Sequence, residues 1–322
     1  MRDGVKLRAD LLRPAGQGPF ATLVYRTPYD KAEERRTYST FGRALERGYA
    51  LVVQDVRGRY ASEGDFHPYE QESNDGYDTI EWAATQPWSN GAVGTFGLSY
   101  PGAVQWLAAV EGPPHLKAMV PAMTFASQEG FVHASGAFDM SWVGWVWNEI
   151  APDRRHRQHL AGPSNASEAA ATWRTEGAAM LSVLPLDRMD RLRDIAPFYY
   201  EWLRHPPDDP WWAWLDLRAK FGRTRAAVLN LSGWYDEGYG DEGAIINFQG
   251  WWLPARAKPR VWRCCLGRGP TAWRTRAARW RASAISRTTP RSTTTVRFSI
   301  GWITTCVACA TAWATASRSD TT

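Results

Sequence analysis

Up to about residue 260 the chain alternates short apolar runs with stretches of helical pattern. Val5 to Leu12, Ala21 to Tyr25 and Tyr49 to Val56 read as strands, with Phe41 to Arg47 inside a helix between the last two. Glu72 to Ala84, with Tyr77, Ile80 and Trp82 among its apolar positions, reads as another helix. The turn Trp88-Ser89-Asn90-Gly91 leads into Ala92 to Phe96, a buried-strand run, and Leu116 to Pro121 and Ala226 to Leu231 are two more of the same kind. Strands joined by helices predict an α/β fold with a mainly parallel sheet. Between the last two strands lies a long segment rich in Trp, Ala and Arg without strand signals, which predicts a helical insertion over the sheet.

One group of residues carries chemistry. Gly97-Leu98-Ser99-Tyr100-Pro101-Gly102 follows a strand and precedes the helical stretch Ala103 to Val110. In a nucleophile elbow, small residues two positions either side of a Ser let the chain turn sharply from strand to helix, leaving the hydroxyl exposed at the helix N-terminus. Here the pattern is Gly97-x-Ser99-x-Pro101, with the second small position moved to Gly102. A plain glycine-rich turn has the same residues; the strand-turn-helix context favours the elbow. A Ser hydroxyl needs a His to take its proton and an acid to hold that His, and in this fold class the chain order is Ser, acid, His. Asp236 comes just after the strand Ala226 to Leu231, where a carboxylate can project from the carboxyl edge of a parallel sheet; Asp241 is a nearby competitor. The six histidines, His67, His115, His133, His156, His159 and His205, all precede Asp236, so none completes the order.

Four motifs in order carry a resemblance: Arg26-Thr27-Pro28-Tyr29-Asp30-Lys31, the run from Asp55 to Gly64, the Ser99 bend, and Gly233-Trp234-Tyr235-Asp236. From Arg2 to about Arg260 the chain resembles the CocE/NonD hydrolases, the family of cocaine esterase and X-Pro dipeptidyl-peptidase. The resemblance implies an α/β-hydrolase core over 1–122 and 226–261, a helical cap inserted over 123–225, and a C-terminal β jelly-roll. It implies Ser99 as nucleophile, Asp236 as the triad acid, and an oxyanion hole made by the Tyr29 hydroxyl and the Tyr100 backbone N–H. The expected substrate is a small-molecule carboxylic ester or amide, esters ahead of X-Pro peptides, with no metal or organic cofactor. In the cap, Trp142, Trp145 and Trp147 around Phe138 and Met140 either line an aromatic acyl pocket or pack the core; Trp142, Trp145 and Phe138 are the candidate pocket residues. The charges between Asp55 and Glu63 read as a structural ion-pair network ahead of a site mouth.

Composition changes the picture at the end. The 322 residues are 44% hydrophobic and carry a net +5, which excludes disorder and fibre-like repeats. Residues 262–322 hold 10 Arg, no Lys and 1 acidic residue, a net +9, whereas 1–261 hold 28 basic and 32 acidic residues, a net −4. All four cysteines, Cys264, Cys265, Cys306 and Cys309, fall in the last piece. Their spacing fits no zinc pattern, no histidine follows, and the arginines are interleaved with Trp, Ile and Val without a nucleic-acid motif. The family pattern should continue here with Gly-Pro-Trp-x-His-Gly, carrying the triad His. Read two bases later with third bases open, Leu266 to Ala272 permits Gly-Pro-Trp-Thr-His-Gly, and the same offset over Gly301 to Ala314 permits a second family-like segment. The expectation is a frameshift, natural or from sequencing, near Arg260 to Cys264, with 262–322 an out-of-frame tail and the jelly-roll lost. No run approaches the roughly 18 apolar residues of a membrane helix, and Met1-Arg2-Asp3-Gly4 lacks a secretory core, so a soluble cytoplasmic chain is expected.

Overall fold

A computed structural model describes residues 1–133, 136–235, 242–252, 262–270 and 282–284, with side chains up to residue 250. The described strands are β1 (Ala9–Leu12), β2 (Phe20–Thr27), β3 (Ala50–Asp55), β4 (Ser89–Leu98), β5 (Leu116–Ala122), β6 (Ala227–Tyr235), β7 (Trp262–Pro270) and β8 (Ala282–Ala284). They form one sheet in the order β1-β3-β2-β4-β5-β6-β7-β8. Pairing is parallel from β3 through β7, and antiparallel where β1 meets β3 and where β8 meets β7.

This order positions the site. From β2 the chain passes through α1 (Lys31–Thr37) and α2 (Ser39–Glu46) to β3 on one side. After α3 (Glu72–Ala84) and β4, it passes through α4 (Tyr100–Ala109) to β5 on the other side. The neighbours β2 and β4 therefore send their exits in opposite directions, and in a parallel sheet a crevice opens at the carboxyl ends of two such strands. Tyr29 follows β2 and Ser99 follows β4, so these two sequence candidates flank that crevice.

Strand alternation sorts side chains between two layers. Leu23 and Tyr25 of β2, Leu51 and Val53 of β3, and Phe96 pack with Phe41 and Ala44 of α2. Val24, Val52 and Val93 belong to the larger core with Ile80 of α3 and Trp106 and Leu107 of α4. That larger core runs on into the segment between β5 and β6, through Phe131, Trp142 and Trp202. The segment is helical, as its pattern predicts: α5 (Ser141–Trp145), a π-turn over Val146–Ile150, α6 (Ala151–Gln158), α7 (Ala166–Leu181) and α8 (Pro197–Arg204).

Two expectations meet different boundaries. The strand expected over Val5 to Leu12 pairs with β3 only from Ala9. Its first residues bond instead to the loop after β3, with Lys6 O accepting from Glu63 N at 3.1 Å and Arg8 N donating to Ser62 Oγ at 2.9 Å. Of the tail expected over 262–322, the described part is strand. β7 pairs with β6 from Val228↔Trp262 to Tyr235↔Pro270, and α9 (Glu242–Trp252) lies between them in sequence. Among the described residues no helix is long and apolar enough to cross a membrane.

Candidate active site

The bend after β4 is tight for reasons that the residues state. Ser99 has φ 63° and ψ −121°, a conformation costly for a side chain with a Cβ, at about 1–3 kcal/mol, and held only where the surroundings over-determine it. Its N–H donates to Ala122 O of β5 at 2.9 Å, and its carbonyl accepts from Gly102 N at 2.8 Å and Ala103 N at 2.9 Å. Gly97 has φ 151°, and a Cβ there would lie 2.4 Å from Pro101 Cβ. A Cβ on Gly102 would lie 2.5 Å from Ala122 O. Both small positions are thus used, the first against Pro101 and the second against β5. Pro101 stands in the first helical turn, where a missing N–H costs nothing.

A residue that the sequence reading did not single out buckles this bend. Gln105 of α4 is buried; its Nε2 donates towards Pro101 O at 2.8 Å, with Val120 O at 3.2 Å and Gly97 O at 3.3 Å. Its Oε1 accepts from Val120 N and the Thr95 hydroxyl, each at 3.1 Å. One amide therefore joins β4, β5 and α4 behind Ser99. The signal was available, since Gln105 is a lone polar residue within the apolar run Ala103 to Val110.

Tyr100 enters the site through its backbone alone. As the first residue of α4 its N–H is one of the helix's intrahelically unpartnered donors. Its phenol is fully buried beneath the bend, stacked on Tyr69 with centroids 4.1 Å apart. The hydroxyl donates to Glu72 Oε1 at 2.9 Å and accepts from Tyr69 N at 3.1 Å. Glu72 also receives Arg26 Nη1 at 2.5 Å. Burial pushes the Glu72 carboxyl up against the pull of Arg26, and pushes the Tyr100 phenol well above its ordinary value.

Tyr29 sits on a loop pinned at several points. Its N–H donates to Thr27 Oγ1 at 3.1 Å, Pro28 O accepts from Arg59 Nε at 2.9 Å, and Lys31 pairs with Asp55 at 2.8 Å. Its hydroxyl oxygen accepts from Trp145 Nε1 of α5 at 3.1 Å, and its ring meets that of Tyr100 edge-on with centroids 6.5 Å apart. The other aromatic candidates sit differently. Trp142 is buried, with Nε1 donating to Phe131 O at 2.8 Å, and Trp147 is buried with Nε1 donating to Ala169 O at 3.2 Å. Phe138 is partly buried, edge-on to Tyr199 and His133.

The charges from Asp55 to Glu63 are all paired, each with a partner from elsewhere. Arg57 makes a two-bond pair with Asp75 and meets Asp3, Asp55 holds Lys31, and Glu63 meets Arg8. Arg59, 1% exposed, pairs with Asp153 and donates to the carbonyls of Ile150 and Glu149, each at 2.8 Å. Arg59 thereby ties the Tyr29 loop to the cap.

Asp236 and its competitor Asp241 lie outside the described residues. β6 runs parallel to β4 with β5 between them, and it ends at Tyr235. The histidines with described ring partners are engaged away from Ser99. His115 meets Glu81, His133 meets His205 O, and His205 lies between Glu201 and Asp209.

A serine forced into a strained strand-to-helix bend at the switch point of a parallel sheet defines the α/β-hydrolase class. Within it, the chain belongs to the X-Pro dipeptidyl-peptidase (S15) family, which matches residues 3–267. A cocaine esterase from Rhodococcus sp. (strain MB1 Bresler) is 36% identical over 250 residues, 73% of this chain and 42% of the relative. The chain thus spans less than half the length of that relative. Two solved structures share the fold: an aminopeptidase from a marine sediment Thaumarchaeota archaeon and a CocE/NonD family hydrolase from Staphylococcus aureus. The first has a TM-score of 0.62 at 24% identity, covering 84% of this chain and 47% of its own. The second has a TM-score of 0.58 at 24% identity, covering 83% and 45%. The resemblance carried by the four motifs is borne out, as is the α/β-hydrolase core.

Proposed function

We propose that this chain carries the nucleophile and oxyanion hole of a serine hydrolase that cleaves small-molecule carboxylic esters through an acyl-enzyme. The strained Ser99 bend carries the reading: a protein holds a non-glycine residue at φ 63° only where something over-determines it. A base takes the Ser99 hydroxyl proton as Oγ attacks the ester carbonyl and passes it to the departing alkoxide; water, deprotonated by the same base, then displaces the acyl group, and Ser99 regains its proton. The Tyr100 N–H and the Tyr29 hydroxyl receive the charge that develops on the carbonyl oxygen, often the largest catalytic term. Asp236, by its place after β6, is the acid that orients the base. Trp142, Trp145 and Phe138 supply aromatic surface for the acyl group, and Trp142 does so with its indole N–H already committed to Phe131 O.

Esters are favoured over X-Pro peptides because a peptide's terminal ammonium needs an uncommitted carboxylate. Among the described cap residues the buried carboxylate, Asp153, is already paired with Arg59, and the more exposed Glu176, Glu201 and Asp209 are paired with Arg191, Arg204 and His205.

A second reading has its own observation. No histidine follows Asp236, so the chain by itself is an impaired hydrolase that lacks its base. Free imidazole separates the two. With p-nitrophenyl butyrate, the full chain is expected to hydrolyse slowly and to gain at least about tenfold from added imidazole beyond the gain of S99A, because losing one triad member leaves the oxyanion hole working. Equal gains in the chain and in S99A would contradict a nucleophilic Ser99. Fast turnover without imidazole would contradict the missing base.

A further inference from the structure

We propose that Trp145, carried by the cap, is a positioning residue that sets the proton direction of Tyr29. The inference rests on the reading of Tyr29 as an oxyanion donor and adds what aims it. An indole has one N–H and no acceptor, whereas a phenol oxygen both accepts and donates. With Trp145 Nε1 at 3.1 Å from Tyr29 Oη, the tyrosine must be the acceptor in that bond. Its own proton is thereby turned away from Trp145, to another side of the hydroxyl oxygen. Accepting a hydrogen bond also polarises the O–H, so the same contact strengthens the donation.

The indole is itself held. It lies nearly parallel to the Tyr100 ring, at 16° with centroids 6.4 Å apart, and edge-on to Trp142 at 5.1 Å. Trp142 is fixed in turn by Phe131 O. Arg59 sets the spacing between the two partners, because one buried guanidinium bonds Pro28 O beside Tyr29 and both Glu149 O and Ile150 O in the π-turn that follows Trp145. The cap thus does more than cover the crevice; it completes the aim of a core donor, and the aim of such donors decides their catalytic worth.

A double-mutant cycle tests this on the full chain, with p-nitrophenyl butyrate as substrate and imidazole as base. Y29F is expected to lower kcat by about 100-fold, in the range for loss of one oxyanion donor. W145F keeps an aromatic ring on Tyr100 and Trp142 but loses the N–H together with the five-membered ring; it is expected to lower kcat by about 10-fold with KM within about twofold. Y29F/W145F should match Y29F alone, because Trp145 acts through Tyr29. Effects that multiply, or a W145F that raises KM and leaves kcat intact, would overturn the positioning role and leave Trp145 with its contact to the acyl group alone. A Y29F with full kcat would remove the oxyanion reading itself. A readout free of turnover accompanies the cycle: with 15N-tryptophan labelling, the indole resonance missing in W145F must shift in Y29F while the other indoles hold still. An unmoved resonance contradicts the bond.

Discussion

Ser99 and Tyr100 are adjacent and serve opposite ends. Ser99 spends backbone strain to hold its side chain at the bend, while Tyr100 turns its side chain inward and leaves only its amide at the crevice. The phenol's work is structural, as the donor that satisfies buried Glu72. Y100F keeps the amide and removes that donor. It is expected to lower unfolding free energy by about 1–3 kcal/mol, the cost of an unsatisfied buried acceptor, while the imidazole-supported rate of ester hydrolysis stays within about twofold. Urea denaturation and the ester assay check the two halves, and a rate that falls with stability unchanged would put the phenol in the chemistry. At this scale the sequence was informative where steric rules are local: Gly97, Ser99 and Gly102 follow from what a sharp strand-to-helix turn tolerates. It did not give the partners of Glu72 and Arg59, because those lie 28 and 46 residues from the first and 31 to 91 residues from the second, and no spacing rule links them.

At the scale of elements, α3, α4 and the strands β2 to β6 were legible because period and burial agree over each of them. The cap was legible only as helical. Its π-turn at Val146–Ile150 leaves no mark in hydrophobic period, yet it presents the carbonyls that Arg59 reads. The end of α8 holds a pH-dependent cluster of its own. His205 stacks flat on Trp211 with centroids 4.3 Å apart and lies between Asp209 at 2.8 Å and Glu201 at 3.1 Å. Burial pulls the imidazole down, but its hydrogen bonds to Asp209 and Glu201 outweigh that and raise it above the ordinary His value. A raised folded-state value means that the stabilisation is complete below the unfolded value of about 6.5 and is lost as pH rises through the folded one. The difference in Tm between the chain and H205N should therefore be larger at pH 6 than at pH 9. An equal difference at both would show that the cluster acts through packing alone.

Over the whole molecule, two pieces of unlike composition share one sheet. The net +9 of residues 262–322 marks a break in the residue pattern, and that pattern reads as an out-of-frame tail. β7 nevertheless continues the parallel ladder on β6, since ladder hydrogen bonds are made by backbone groups and ask little of side-chain identity. The proposed triad does depend on side-chain identity, and in this sequence all six histidines precede Asp236. What unites the core, the cap and the family match is the nucleophile proposed at Ser99, at the switch point between β2 and β4. Its most direct measurement is covalent: the full chain is incubated with a fluorophosphonate in the presence of imidazole, digested, and mapped by mass spectrometry. One adduct on the peptide bearing Ser99, absent in S99A and slowed about tenfold or more in Y29F, is the expected result. Adducts scattered over other serines, or a Ser99 peptide left unmodified in a folded chain, would contradict the assignment of Ser99 as the nucleophile.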